Sequence, residues 1–175
     1  AEWAALVIDK ARVLSRQIDE ITDLARLGSV SFALKRTTID LAEVVRGVAA
    51  DVRTQAGADV VVAAPRRGVR VEADRDRVVQ VLANLVGNAV KYGPVDRPIR
   101  ITLSGDGETV EVAVVDDGTT IPPADAARIF EPFVRLAAPG TRGSGLGLAV
   151  ARGIVEAHGG RLWHAPGGDG HGNAF

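Results

Sequence analysis

Cysteine is absent from the 175 residues, which excludes disulfides and thiolate metal sites and fits a reducing compartment, so the cytoplasm is the expected setting. Long apolar runs are missing as well. No stretch approaches the roughly 20 residues needed to span a bilayer, and the N-terminus lacks the basic-then-apolar layout of a signal peptide. Membrane contact by this chain itself is therefore not expected, and any anchor of a parent protein is expected outside it. A charge of one sign is lacking too: 21 basic side chains stand against 22 acidic ones. That balance removes the electrostatic case for nucleic-acid binding or for adhesion to anionic lipid. Any bound anion must be held locally.

What is present suits one domain with a short appended element, and 46% apolar residues are ample for a buried core. Residues 1–27 contain no proline or glycine and place Ala4, Val7, Ala11, Leu14, Ile18, Ile21 and Ala25 at alternating steps of three and four. This is a heptad seam, although the same spacing suits an amphipathic helix packed on its own domain. Gly28 and Ser29 end it. A strand is expected around 31–36, then a helix capped by Asp40 and ending near Gln55. Val60 to Val62 read as a strand, and Val69 and Val71 alternate with charge to give another. Asp74 opens a long helix that stops at Tyr92-Gly93-Pro94. Strands at Ile99–Leu103 and Thr109–Val115 form a hairpin through Gly105-Asp106-Gly107. Beyond Asp116 the chain is loop-like, makes a short helical stretch to Phe130, and crosses an irregular segment to Gly147 that reads as a mobile lid. A helix over Leu148–His158, a Gly159-Gly160 stop and a strand around Arg161–His164 follow. The pattern is α+β, one sheet with helices on a face.

Three constellations carry chemistry. On the Asp74–Tyr92 helix, Val78, Leu82, Leu85 and Ala89 form a core stripe, while Arg77, Gln80, Asn84, Asn88 and Lys91 share a second stripe. Amide carbonyls are hard, neutral donors suited to a Mg²⁺ ion that substrate phosphates also hold, and Lys91 can screen those phosphates. Taken alone, the stripe reads first as a solvated polar face and only second as a ligand-binding one. Second, the strand ending Val114-Val115 runs into Asp116-Asp117-Gly118, where a carboxylate can accept a hydrogen bond from the adenine amine and Gly118 lets a base approach the backbone. An ordinary Asp-Gly turn gives the same string. Third, Gly143-Ser144-Gly145-Leu146-Gly147-Leu148 is a glycine-rich loop feeding a helix, suited to polyphosphate oxygens. It neither follows a predicted strand nor ends in Lys-Ser/Thr, so the dinucleotide and P-loop readings fail.

In order, these pieces resemble the catalytic domain of sensor histidine kinases of two-component systems, the GHKL-type ATPases. Asn84 to Tyr92 looks like the family's N box, Asp116-Asp117-Gly118 like its first glycine box, Ile129-Phe130-Glu131-Pro132-Phe133-Val134-Arg135 like its F box, and Gly143 to Leu148 like its second glycine box. Asp23-Leu24-Ala25-Arg26-Leu27 is similar to the end of the second helix of the dimerisation and phosphotransfer domain. The resemblance implies a two-layer α/β sandwich, with a mixed, mostly antiparallel sheet and helices on one face, preceded by a long helix. It divides the chain into 1–28, part of the dimerisation helix, and 29–175, the ATP-binding domain with an incomplete last strand.

By the same resemblance ATP and Mg²⁺ are the ligands. Asn88 would coordinate the metal with Asn84 nearby, Lys91 and Tyr92 would border the phosphates, and Asp116 would read adenine, flanked by Gly118, Thr120 and Ile121. Gly143, Ser144, Gly145, Leu146, Gly147 and Leu148 would close over the phosphates, and Arg135 would contact the γ-phosphate. Asn84, Lys91 and Arg135 would then be the catalytic side chains. Phe130 and Phe133 are expected to pack the lid base. The implied partners are a second copy, through the N-terminal helix of the intact protein, and a response regulator receiver domain.

Departures from the pattern count as well. The first glycine box normally carries a second glycine, where this chain has Thr119-Thr120. A β-branched residue at positive φ is strained by about 1–3 kcal/mol, so either the loop takes another path or Thr120→Gly tightens ATP binding. The histidines are His158, His164 and His171, none in the setting of the phosphoacceptor helix. The acceptor and its neighbouring acid are expected upstream of Ala1, and His158 is expected to end its helix as a cation. Two other functions fit these departures: a nucleotide-sensing or dimer scaffold without kinase activity, and an anti-sigma-type serine kinase.

Overall fold

The computed structural model describes residues 2–27, 32–66, 68–105, 107–136, 143–168 and 171–175, with side chains of the first helix at Trp3, Ala11, Leu14, Ser15 and from Gln17 onward. Helix α1 (Glu2–Leu27) leads into β1 (Thr37–Asp40), α2 (Leu41–Ala56), β2 (Val60–Ala63), β3 (Arg70–Ala73) and α3 (Arg75–Tyr92). The hairpin β4 (Ile99–Gly105) and β5 (Val110–Asp116) comes next, then a 3-10 turn at Arg128–Phe130, α4 (Gly147–Ala157), β6 (Ala165–Pro166) and β7 (Asn173–Ala174). The main sheet has five strands in the order β2-β4-β5-β7-β6, parallel at β2/β4 and antiparallel elsewhere, and β1 pairs with β3 in a separate ribbon.

Period-2 alternation sets the sheet's inner face. Ile99, Ile101 and Leu103 are buried while Thr102 and Ser104 are exposed. Against that face pack Val44, Val45 and Val48 of α2, Leu82, Leu85 and Val86 of α3, and Val150 and Ile154 of α4. Each side chain of this kind stabilises the fold by about 1.5–3 kcal/mol when fully buried. Both expected N-caps form. Asp40 Oδ1 accepts from Ala42 N at 3.0 Å, and Asp74 Oδ1 accepts from Arg77 N at 3.3 Å. Gly93 closes α3 with its N–H on the Ala89 carbonyl at 2.8 Å; a Cβ there would stand 2.5 Å from that oxygen.

Helix α1 shows two faces. Leu24 and Leu27 pack against the main core, and Leu27 lies so close to α4 that a Cβ on Gly153 would meet its Cδ1 at 2.6 Å. Asp23 is only 7% exposed; it accepts from Arg77 Nη1 at 2.8 Å and Gln80 Nε2 at 2.6 Å, tying α1 to α3. The described part of the heptad seam faces away, with Leu14 59%, Ile18 63% and Ile21 53% exposed. No helix among the described residues is long and apolar enough to cross a membrane.

Two expectations shift, and a third group falls outside the described residues. The strand expected around 31–36 lies at Thr37–Asp40, because its register is set by β3, with Thr37 opposite Ala73. Arg161–His164 carry no strand; the pairing begins at Ala165, opposite Ala174. The helix stop at Gly28-Ser29, Asp106 of the hairpin turn and residues 137–142 of the expected lid lie outside the described residues.

Candidate nucleotide site

The two faces of α3 are resolved by what they touch. Its apolar stripe enters the core, and its polar stripe divides: Arg77 and Gln80 bind Asp23, whereas Asn84, Asn88 and Lys91 line a cavity of about 940 Å³. Asn84 Nδ2 donates to the Gly147 carbonyl at 3.0 Å, so this amide joins α3 to the start of α4. Lys91 Nζ donates to Tyr92 Oη at 2.6 Å and lies 4.4 Å from that ring's centroid.

The strand end sorts the two acids. Alternation puts Asp116 on the inner row with Val114, 4% exposed, and turns Asp117 outward. Asp117 meets Arg100 through a bidentate pair at 2.8 and 3.2 Å. That side-chain pairing, stronger than the burial that opposes it, holds the Asp117 carboxyl below its usual range, with the Arg100 and Arg97 charges adding to it. Asp116 Oδ1 accepts from Gly118 N at 2.8 Å and from Asn173 Nδ2 at 3.1 Å. Gly118 serves a different purpose from the one expected: a Cβ there would stand 2.6 Å from the Tyr92 carbonyl and 2.8 Å from Asp116 Oδ1. The space is filled by protein.

The glycine loop packs against the 131–135 stretch. Gly145 has φ 75, accepts from Phe133 N at 3.0 Å, and would clash through a Cβ with the Phe133 backbone at 2.9 Å and Arg135 Cγ at 3.1 Å. Phe133 itself sits at φ 66, a conformation that costs a non-glycine residue about 1–3 kcal/mol. It is 66% exposed, so the expected packing of both phenylalanines holds only for Phe130, which meets Phe175 edge-on with centroids 6.5 Å apart. Ser144 Oγ donates to Glu20 Oε2 at 2.5 Å, and Gln17 and Glu20 bring α1 into the cavity wall.

Of the residues singled out from sequence, Asn84, Asn88, Lys91, Tyr92, Asp116, Thr120, Ile121 and Arg135 line this one cavity, as do Gly143, Ser144, Gly145, Gly147 and Leu148. Gly118 and Leu146 do not; Leu146 is 1% exposed and belongs to the packed interior. Thr120 is not strained, since Phe133 is the sole non-glycine at positive φ among the described residues. The Thr119–Ile121 loop takes another path, held by Asn173, whose Nδ2 donates to the Thr119 carbonyl at 3.1 Å and whose Oδ1 accepts from Ile121 N at 2.9 Å. Sequence reasoning missed Asn173, Gln17 and Glu20. The signal for Asn173 was a polar residue in an otherwise apolar strand opening.

None of the three histidines lines the cavity. His158 Nε2 accepts from the Asp74 amide at 3.0 Å, which leaves Nδ1 to donate to the Ile154 carbonyl at 2.8 Å. An amide N–H can only donate, so the ring sits as the neutral Nδ1–H tautomer, not as the expected helix-end cation.

Comparison with known proteins follows the same lines. Residues 73–175 match the family model of histidine kinase-, DNA gyrase B- and HSP90-like ATPases. The histidine protein kinase DivJ of Caulobacter vibrioides is 31% identical over 167 residues, 93% of this chain and 28% of DivJ. Full-length ShkA in complex with AMPPNP superposes with a TM-score of 0.82 at 32% identity, covering 100% of this chain and 38% of ShkA. Histidine kinase ThkA in complex with response regulator protein TrrA gives a TM-score of 0.75 at 29% identity over 94% of this chain and 47% of ThkA. The chain thus spans less than half the length of each of these relatives. Its matched family model, its sheet with helices on one face and its ordered motifs agree: the chain belongs to the histidine kinase-, DNA gyrase B- and HSP90-like ATPases, as a catalytic domain of the histidine kinase type.

Proposed function

We propose that this chain binds Mg-ATP and transfers the γ-phosphoryl group to a histidine outside it, for relay to a response regulator receiver domain, within a two-component sensor kinase whose membrane anchor lies elsewhere. The observation that carries this reading is that Asn88, Asp116 and Gly145, from three separate parts of the sequence, line one cavity. At one end Asp116 offers a carboxylate to the adenine amine. At the other, Lys91, Arg135 and the Gly143–Gly147 backbone accept the phosphates. Phosphoryl transfer asks mostly for positioning and charge neutralisation, and these groups supply both.

The donor set suits Mg²⁺. The described residues hold no group of three or more His, Cys, Asp or Glu that could hold a metal ion, so the protein's part falls to the hard amide oxygens of Asn88 and Asn84, with waters and phosphates completing the shell. Bound there, the ion neutralises charge on the transferring phosphoryl group. Asn84 is already oriented by its bond to Gly147. In the intact protein the exposed Leu14, Ile18 and Ile21 stripe pairs with a second copy. The unstrained Thr119–Thr120 loop removes one motive for a degenerate scaffold, and the leading helix argues against an anti-sigma-type serine kinase.

Incubation with ATP labelled at the γ-phosphate tests the assignment. The chain alone should bind nucleotide and stay unlabelled, while a phosphoacceptor helix supplied in trans should gain acid-labile phosphate. Acid-stable label on serine, or no transfer to any histidine-bearing helix despite nucleotide binding, would contradict it.

A further inference from the structure

Asn173 is a buried amide, 4% exposed, and every hydrogen-bonding position it has is used. Its Nδ2 donates to Asp116 Oδ1 and to the Thr119 carbonyl, each at 3.1 Å. Its Oδ1 accepts from Ile121 N at 2.9 Å and from His164 Nε2 at 3.1 Å. The amide orientation is fixed by its partners, because the Ile121 N–H can only donate and the Thr119 carbonyl can only accept. Strand register brings it there: Asn173 is the Cα partner of Asp116 across β5 and β7. Gly172 permits the approach, at φ 74, since a Cβ there would stand 2.8 Å from Asp117 Cα.

The consequence falls on Asp116. Its Oδ1 is occupied by Gly118 N and Asn173 Nδ2, whereas Oδ2 has no hydrogen-bond partner among the described residues. A carboxylate saturated on one oxygen cannot rotate freely, and its second oxygen stays available in the cavity. The same amide shapes the Thr119–Ile121 wall, which a second glycine does not shape in this chain.

We propose that Asn173 is a positioning residue for base selection: it locks the Asp116 carboxylate so that Oδ2 faces the exocyclic amine of adenine, and it pins the adjoining loop wall. This rests on the reading of Asp116 as the base acceptor. A purine with a carbonyl oxygen in place of that amine meets the same oxygen as a repulsion, so the locked carboxylate discriminates between them.

Calorimetric titration of the chain with Mg-ATP and with Mg-ITP tests this, inosine triphosphate carrying the carbonyl. In Asn173→Leu, close in shape and without the amide, the preference for ATP over ITP should fall by about tenfold, the scale of one hydrogen bond to a charged group. ITP affinity should change by less than about threefold. Asn173→Ala serves the same purpose should the leucine protein fail to fold, as judged by thermal melting. Asp116→Ala, run in parallel, separates the two layers. If Asp116→Ala keeps the ATP preference, the base-acceptor reading falls. If Asp116→Ala loses the preference and the Asn173 variant keeps it, the positioning role alone is overturned. Equal loss of ATP and ITP affinity in the Asn173 variant would show a structural role only and would also overturn it.

Discussion

Removing the Asp23 carboxylate should loosen helix α1 from α3 and leave the rest of the chain folded. Asp23 accepts hydrogen bonds of 2.8 Å from Arg77 and 2.6 Å from Gln80. Breaking a fully buried ion pair costs about 3–5 kcal/mol. Arg77 keeps 28% side-chain exposure and has the Phe32 ring 5.2 Å from its guanidinium carbon, so water and the ring relieve part of its loss. We therefore expect Asp23→Ala to cost about 2–3 kcal/mol of docking energy. That corresponds to about a 30- to 150-fold rise in α1 opening. Hydrogen exchange read by mass spectrometry is the assay: protection in the C-terminal half of α1 should fall, with the core of α2 and α4 unchanged. Combining Asp23→Ala with Arg77→Ala should add less than the sum of the two, because both remove the same pair. Unchanged protection in α1, or loss of protection throughout α2 and α4, would refute the reasoning.

Two further outcomes follow from the geometry. Thr120→Gly should leave ATP affinity unchanged or weaken it, since the threonine stores no positive-φ strain and glycine adds freedom to the loop; tighter binding by calorimetry would restore the strain account. Asp74→Ala should cost about 1–2 kcal/mol of stability at neutral pH through loss of the α3 cap. Burial raises the Asp74 pKa, but the N–H bonds from Lys35, Arg77 and Asp76 and the Arg77 charge bring it below the usual 3.8. A carboxyl depressed in the folded state stabilises above its unfolded pKa and loses that contribution as pH falls through the folded value. The gap between wild type and Asp74→Ala in urea melts should thus hold steady above about pH 5 and narrow below pH 3.8.

Elements governed by local chemistry were legible in the sequence. The caps Asp40 and Asp74, the Gly93-Pro94 stop and the two faces of α3 all depend on residues within a few positions of each other. What partners across the chain decide was not. The first strand takes its place from β3, and the last edge strand from β7. The loop after Asp116 is shaped by a side chain 57 residues away from that aspartate, so the local pattern marks Asn173 as an odd polar residue in its strand but does not show which loop its amide holds. Phe133 misled for a related reason: its backbone is held left-handed by the contact with Gly145, which turns out to solvent a ring that composition alone would bury.

Titration of the chain with ATP, with and without Mg²⁺, on wild type, Asn88→Ala and Asp116→Ala, probes the claimed convergence most directly. Asn88→Ala should abolish most of the metal-dependent gain in affinity while leaving metal-free binding nearly unchanged, and Asp116→Ala should weaken binding in both conditions. Wild-type affinity and metal dependence in both variants would mean that the amide helix and the strand-end acid do not serve the same nucleotide.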